Sequence, residues 1–173
     1  MQKHFCTVFL SGLLATMLNA CSNYSVSVND NLVYTPASLF TEFTVADANL
    51  FRCIEQTISD KKITNPKQLK LLNCSNAGIE NLAGLEVFSE LEELNLAENN
   101  LKKIESLGQL TRLKVVLLNQ NQLVNVSPLL QLLHLERLNL EGNPSLECAD
   151  IKQLMANLEG LSKEIYPPQQ CRQ

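Results

Sequence analysis

A sequence period of 22 residues constrains the fold of this chain more than any other feature. Four successive units begin with leucine, the last unit being incomplete. In each unit the fourth and sixth positions are apolar or cysteine, and the ninth is asparagine in all but the first. In the three full units, apolar residues recur at every third position from the eleventh. The units begin at Leu69, Leu91, Leu113 and Leu135. Such self-similarity predicts a stack of structural repeats.

The spacing within a unit predicts its local structure. Positions 4 and 6 are two residues apart, so their side chains share one face of a short strand, while positions 3, 5 and 7 point the other way. The later three-residue spacing favours a tight 3₁₀-like or extended return. At the ninth position, an asparagine side chain can satisfy backbone polar groups that a tight turn leaves unpaired. One strand per repeat then builds a parallel sheet.

This pattern resembles the L-x-x-L-x-L-x-x-N-x-L consensus of leucine-rich repeat proteins, and its length is similar to that of the bacterial internalins. The resemblance covers residues 47–171 and departs from the consensus at Cys74, Ala77 and Ser145. It implies an α/β solenoid, a short leucine-rich repeat stack with a helical N-terminal cap and a C-terminal cap. It also implies that strand positions pointing away from the core line a concave face, where partners are often bound.

The sequences that flank the stack are typical of caps. Upstream, Asp47 precedes a helical pattern with apolar residues on one stripe. Downstream, a second amphipathic pattern ends near Gly160, and Pro167-Pro168 then predicts an extended tail. The predicted apolar positions are Leu50, Cys53, Ile54 and Ile58 in the first helix, and Ile151, Leu154, Met155 and Leu158 in the second.

Four cysteines lie in and around the stack, and an even number fits an oxidising compartment. Four cysteines allow three pairings. Because the first helix would lie over the first strand, we favour Cys53 with Cys74, and the extended tail would bring Cys171 back to Cys148. The separations differ from the close pairs of zinc sites, so no metal is expected.

The N-terminus has the features of an export signal. Lys3 is followed by an apolar run of about 14 residues, shorter than the roughly 20 that span a bilayer. The next residues, Leu18-Asn19-Ala20-Cys21, resemble the lipobox of bacterial lipoproteins, with Asn19 departing from the usual residue. The resemblance implies that Cys21 is acylated and becomes the mature N-terminus. Ser22 resembles the sorting pattern for the outer membrane of Gram-negative bacteria.

These features predict five regions and narrow the choice of partners. The regions are a signal peptide (1–20), a lipid-anchored tether (21–42), an N-terminal cap (43–68), the repeats (69–146) and a C-terminal cap (147–173). The formal net charge is −4, without a run of Lys or Arg, so nucleic acid is not expected as a partner. Membrane association is expected only through lipid on Cys21, and the domain is expected to be a monomer.

The third repeat differs from its neighbours on the predicted concave face. It has Val115 at position 3 and Leu117 at position 5, where the other repeats are mostly polar. An apolar centre with a polar rim is typical of a small protein-binding surface, although scattered surface apolar residues are ordinary and the tether could cover these two. The predicted partner-binding residues are Leu71, Glu93, Asn95, Val115, Leu117, Asn119, Arg137, Asn139 and Glu141.

The sequence contains no pattern that indicates catalysis. His134 has no nucleophile at a suitable spacing, and no glycine-rich phosphate loop is present. We therefore expect no enzyme and no cofactor. Two functions remain: an outer-membrane lipoprotein that binds a protein through its concave face, or a structural or accessory assembly subunit of a cell-envelope machine without such a ligand.

Overall fold

The computed structural model describes residues 25–28, 31–35, 37–158 and 164–172. The chain divides into two compact units, residues 1–37 and 38–173. In the first unit, β1 (Val26–Val28) and β2 (Asn31–Tyr34) form an antiparallel hairpin. The second unit contains the repeats and both caps.

The second unit is built on a parallel sheet of five short strands in chain order. These strands are β3 (Leu71–Asn73), β4 (Glu93–Asn95), β5 (Val115–Leu117), β6 (Arg137–Asn139) and β7 (Glu164–Tyr166). From β3 to β6 the paired residues are 22 apart in sequence, as in Leu72 beside Leu94. Each of these strands starts at position 3 of its repeat, which confirms the predicted strand and its register.

The apolar positions of the repeat form one continuous core. Residues at positions 4 and 6 and at every third place after position 11 are buried, with exposures of 0–2% in the three full repeats. The return segments contain the 3₁₀ turns Leu85–Val87, Glu105–Gln109 and Ser127–Gln131, as the three-residue spacing predicts. The structure therefore confirms the α/β leucine-rich repeat solenoid.

Buried asparagines at position 9 bind the backbones of successive repeats. Asn121 Nδ2 donates to the carbonyls of Leu96 at 2.9 Å and Leu118 at 3.1 Å, and its Oδ1 accepts the Leu101 amide at 3.0 Å. Asn99 and Asn143 make equivalent bonds one repeat away on either side. Each side chain thus satisfies donors and acceptors of two adjacent repeats, which supports the structural role expected for this position.

Asp47 joins the N-terminal cap to the first repeat. It caps helix α1 (Ala48–Lys61), where its Oδ1 accepts from the amides of Asn49 at 2.8 Å and Leu50 at 3.0 Å. Its Oδ2 accepts from the amides of Glu80 at 2.8 Å and Asn81 at 3.2 Å. Partial burial raises the pKa of Asp47, but the four backbone hydrogen bonds outweigh this effect and hold the pKa below its ordinary value.

The N-terminal cap begins earlier than the sequence predicted. The predicted tether includes residues 38–42, yet Leu39 and Phe40 pack against the core and the Phe40 amide donates to the Ile63 carbonyl at 2.9 Å. Phe43 then lies among other aromatic rings, with its centroid 5.6 Å from that of Phe88. The boundary between the units falls at residue 37, because the apolar side chains after it pack against the core of the second unit.

Gly84 lets the N-terminal cap pass close over the first repeat. Its φ is +97°, and a Cβ at this position would lie 2.2 Å from the Thr44 carbonyl oxygen. Next to this contact, the Ala46 amide donates to the Ala83 carbonyl at 2.9 Å. A residue without a side chain is therefore required where the two backbones meet.

The C-terminal cap adds a strand that the sequence analysis did not predict. Helix α2 (Cys148–Asn157) buries Ile151 and Leu154, but Met155, which was expected on the buried stripe, is 40% exposed. After it, β7 pairs in parallel with β6. This strand completes the sheet before Pro167 and Pro168 end it, since proline lacks the amide that a ladder needs. The tail after the prolines, which was expected to be extended, contains a 3₁₀ turn at Gln169–Cys171.

Two disulfides fasten the caps. Cys53 in α1 is joined to Cys74, and Cys148 at the start of α2 is joined to Cys171. Their Cα atoms are 5.9 and 5.3 Å apart. This is the pairing that the sequence favoured.

Some predictions concern residues outside the described part of the chain. These are the signal peptide (1–20), the acylation of Cys21, the sorting role of Ser22 and the helix stop at Gly160. Among the residues that are described, no helix has both the length and the apolar character needed to cross a membrane.

Candidate binding face

The predicted partner-binding residues lie on the sheet face opposite the core. We call this surface, formed by positions 3, 5 and 7 of the repeats, the concave face. Solenoids of this kind use such extended surfaces for binding. In strand order, the structure brings together Leu71, Glu93, Val115 and Arg137 at position 3, and Asn73, Asn95, Leu117 and Asn139 at position 5.

Val115 and Leu117 form an apolar spot at the centre of this face. Both side chains are half-buried, whereas their strand neighbour Val116 is fully buried in the core. In the ladder, Val115 lies between Glu93 and Arg137. A shallow depression of about 300 Å³ opens here, and its lining includes both residues of the apolar spot, Glu93, Arg137 and Leu71 on the outer strand.

The asparagines at position 5 serve the scaffold as well as the surface. Asn95 Oδ1 accepts the Ala97 amide at 3.0 Å, and Asn139 Oδ1 accepts the Glu141 amide at 3.0 Å. These are Asx turns, in which the side chain closes the bend that follows the strand. Leu117 at the equivalent place has no acceptor atom, so the third repeat lacks this bond. One polar atom of Asn95 and of Asn139 is therefore already engaged within the protein.

Position 7 offers less free surface than expected. Glu141 forms an ion pair with Arg172 of the C-terminal tail, while Asn119 is half-buried and its carbonyl accepts the Glu98 amide at 2.9 Å. Both side chains remain partly accessible at the border of the face. They fit a polar rim better than a binding centre.

Strand β7 contributes residues to this face that the sequence analysis missed. Glu164 lies beside Arg137 and Tyr166 beside Asn139, and Tyr166 is 44% exposed. The step from Arg137 to Glu164 is 27 residues, outside the 22-residue period. The one available signal was a single apolar residue, Ile165, between two polar ones, which is too short to indicate a strand.

Lys61, at the end of α1, also lines the depression. Its ammonium donates to the Leu71 carbonyl at 3.0 Å, on the outermost strand of the sheet. The helical pattern around residue 61 indicated a cap but not its contact with the strand edge. Lys61 thus satisfies a carbonyl at the edge of the sheet that no neighbouring strand pairs with.

A ladder of charges runs along position 2, at the border of the face. Glu92 lies between Lys70, at 3.0 Å, and Lys114, at 2.8 Å. Hydrogen bonds from Lys114 and Lys70 and the charges of both residues lower the pKa of the Glu92 carboxyl to about 2. The alternating charges at position 2 thus help to align adjacent strands.

In the described part of the chain, no group of three His, Cys, Asp or Glu side chains is placed to hold a metal ion. The described side chains of the face carry no nucleophile paired with a base, and His134 lies at the border with Arg112 and Lys114 rather than on the strands. The expectations of no enzyme, no metal and no cofactor stay predictions.

The 22-residue register, the parallel ladder and the asparagine contacts define a leucine-rich repeat fold. Neither a protein-family model nor a curated protein sequence matches the chain. Among solved structures, the chain is similar to the internalin InlF of Listeria monocytogenes, with 20% identity over 70% of this chain and 44% of that chain and a TM-score of 0.49. It is also similar to the internalin C2 of the same organism, with 18% identity over 70% of this chain and 75% of that one and a TM-score of 0.34.

A leucine-rich repeat protein of Leptospira interrogans is a further similar structure, with 23% identity over 62% of this chain and 33% of that chain and a TM-score of 0.42. The chain therefore spans less than half of the internalin InlF and a third of the Leptospira protein. The leucine-rich repeat assignment rests on the register and contacts of the chain itself.

Proposed function

We propose that this chain is a lipoprotein of the Gram-negative outer membrane whose repeat domain binds a protein partner through the concave face. The observation that carries the binding proposal is Leu117. Its neighbours in the ladder, Asn95 and Asn139, each close an Asx turn, and the third repeat gives up that bond for a half-buried apolar side chain. Leucine in place of asparagine removes a hydrogen bond from the turn and adds apolar surface, so it does not serve the scaffold. Binding of a partner gives a reason for this residue.

The composition of the face supports a protein partner of modest contact area. Two apolar residues are surrounded by charged and amide side chains, as in interfaces with an apolar centre and a polar rim. The depression around them has a volume of about 300 Å³, at the lower end of the range for small-molecule sites. Contact over several strands fits this surface better than capture of a small compound.

The concave face is tested by cross-linking in the native cell envelope followed by capture of the chain. The variant Val115→Thr/Leu117→Asn removes the apolar spot with residues suited to a strand and an Asx turn. Val124→Thr, at an exposed position on the return segment, is the matched control. We expect the double variant to lose the partner cross-linked by the wild type and by the control, with a thermal midpoint near that of the wild type.

The result also decides between the two functions. If the double variant folds and retains every cross-linked partner, the concave face is not the binding surface. Contact then occurs elsewhere, and the alternative, a structural or accessory subunit of an envelope assembly, accounts better for the chain.

The anchor is tested separately at Cys21. The apolar run and the lipobox-like residues 18–21 support acylation, and acyl chains would hold an otherwise acidic chain at the membrane. We expect Cys21→Ser to move the protein from the membrane fraction to the soluble fraction. Persistence of this variant in the membrane fraction would contradict the lipid anchor.

A further inference from the structure

The charges beside the apolar spot are distributed unequally. Val115 lies directly between Glu93 on one strand and Arg137 on the other, and adjacent strands are about 4.8 Å apart. A partner side chain seated on the apolar spot would therefore lie within reach of one carboxylate and one guanidinium. The charge on the partner must be opposite to whichever of these two charges is not already paired within the protein.

Arg137 is already neutralised within the protein. Its Nε lies 2.6 Å from Glu164 Oε2, and the two residues are partners in the β6–β7 ladder. The hydrogen bond that Arg137 donates to Glu164, and then the charge of Glu164, raise the pKa of Arg137. Strand β7, which follows no repeat period, thus places a carboxylate against the guanidinium of the concave face.

Glu93 forms no such close pair among the described residues, although its charge also contributes to raising the pKa of Arg137. Within the described residues, no ion pair includes Glu93. Of the nearby cations, Lys114 is bonded to Glu92, and Lys61 lies at the outer edge of β3 with its ammonium on the Leu71 carbonyl. Around Val115, the carboxylates of Glu93 and Glu164 thus outnumber the guanidinium of Arg137, so the described charges directly beside the apolar spot are negative in sum.

From this asymmetry we propose that the concave face selects a protein surface on which a Lys or Arg side chain lies next to an apolar side chain. The apolar group would occupy the spot formed by Val115 and Leu117, and the cation would face Glu93. Glu164 acts as a positioning residue, because it holds Arg137 and so prevents that guanidinium from attracting acidic partners. This inference rests on the proposed function and specifies the chemistry of the partner.

The test uses a phage-displayed library of random 12-residue peptides, panned against the full-length chain in detergent micelles. We expect the enriched peptides to contain Lys or Arg close to Leu, Ile, Phe, Tyr or Trp more often than the starting library does. Glu93→Gln should weaken the binding of an enriched peptide about twofold to fivefold, the range for an exposed ion pair. Glu105→Gln, an exposed acid on a return segment, is the control and should leave the affinity unchanged.

The variant Glu164→Gln tests the positioning role. It removes the charge that compensates Arg137, so panning against it should recover more peptides with Asp or Glu beside the apolar residue. A structural role for Glu164 alone would reduce all binding without changing this preference. Hydrogen exchange of the Leu140 amide, which donates to the Tyr166 carbonyl, shows whether β7 is still paired in the variant.

The outcomes separate this inference from the proposed function. If enriched peptides lose binding in Val115→Thr/Leu117→Asn but show no excess of Lys or Arg, or bind Glu93→Gln equally well, the charge inference is wrong and the binding face stands. If no peptide is enriched, or the enriched peptides bind the double variant equally well, the concave-face function is contradicted, and the inference with it.

Discussion

Single asparagine and aspartate side chains hold the turns of this solenoid together. The buried asparagines at position 9 were recognisable from their 22-residue spacing, because a polar residue that recurs in an apolar pattern has to be paired. The double contact of Asp47 was not, since its partners Glu80 and Asn81 are more than 30 residues away in sequence. A local sequence pattern can predict the residue that caps a helix. Hydrogen bonds from that residue to a distant segment can be seen only in the folded structure.

Asn121 is expected to be among the most sensitive polar positions. Asn121→Ala leaves the Leu101 amide and the carbonyls of Leu96 and Leu118 buried without this partner, and each unpaired group destabilises by about 1–3 kcal/mol. We predict a loss of about 3 kcal/mol or more in the free energy of unfolding, measured by urea denaturation. Asn100→Ala, at an exposed position in the preceding turn, should change it by less than about 0.5 kcal/mol. Equal effects of the two substitutions would contradict the asparagine role.

Asp47 should make the stability of the N-terminal cap depend on pH. Its pKa in the folded protein lies below the value of about 3.9 expected when unfolded, so its contribution is complete above that value and is lost as pH falls through the folded pKa. Asp47→Asn retains one acceptor for the helix but weakens the contacts with Glu80 and Asn81.

We expect Asp47→Asn to lower the free energy of unfolding by about 1–2 kcal/mol at pH 7, and the difference from the wild type to shrink below about pH 4. Urea denaturation across this pH range measures both. A difference between the two proteins that stays constant down to pH 2 would show that the carboxylate charge is not involved.

At the scale of elements, the repeats were predictable and the closing strand was not. Strands β3–β6 follow a pattern of positions repeated four times, so each repeat supports the assignment of the others. Strand β7 has three residues, one of them apolar, and is held by its pairing with β6 and by the Cys148–Cys171 disulfide. Its structure depends on tertiary contacts, and the sequence pattern is too short to show them.

The Cys148–Cys171 disulfide should stabilise the C-terminal cap. It closes a loop with a sequence separation of 23 residues, for which chain entropy gives about 3 kcal/mol. We predict that Cys148→Ala/Cys171→Ala lowers the free energy of unfolding by about 2–4 kcal/mol. Faster hydrogen exchange is expected at the Leu140 amide, which donates to the Tyr166 carbonyl, and little change at the Leu96 amide in the centre of the sheet. An unchanged Leu140 rate would mean that β7 is held without the disulfide.

At the scale of the whole molecule, both edge strands of the repeat sheet are only three residues long. The first strand is covered by α1 and by Lys61, which donates to the Leu71 carbonyl, and the last is only three residues long and ends at Pro167. Such ends limit pairing between the sheets of different molecules, and the monomeric state stays a prediction. The proposed function accordingly places the partner on the concave face rather than at a strand edge.

The predicted binding residues share one face of the sheet, because the strand period of two determines which side chains share a surface. Their role in binding stays a prediction. The charge balance of that face could not be predicted from the repeats. It depends on Glu164, which reaches Arg137 through a strand outside the period, and on Arg172, which pairs with Glu141. The residue types and their period therefore predict which side chains form the surface. The C-terminal cap determines which charges on that surface are paired.

The central claim is that Leu117 serves binding rather than the scaffold. Leu117→Asn removes a half-buried apolar side chain, a loss of about 1 kcal/mol, and can restore an Asx-turn bond of similar strength. The most direct test is partner capture by this variant in the native envelope, normalised to the folded protein present. We predict that capture falls at least fivefold while the thermal midpoint stays within about 4 °C of the wild type. Unchanged capture by the folded variant would contradict the claim.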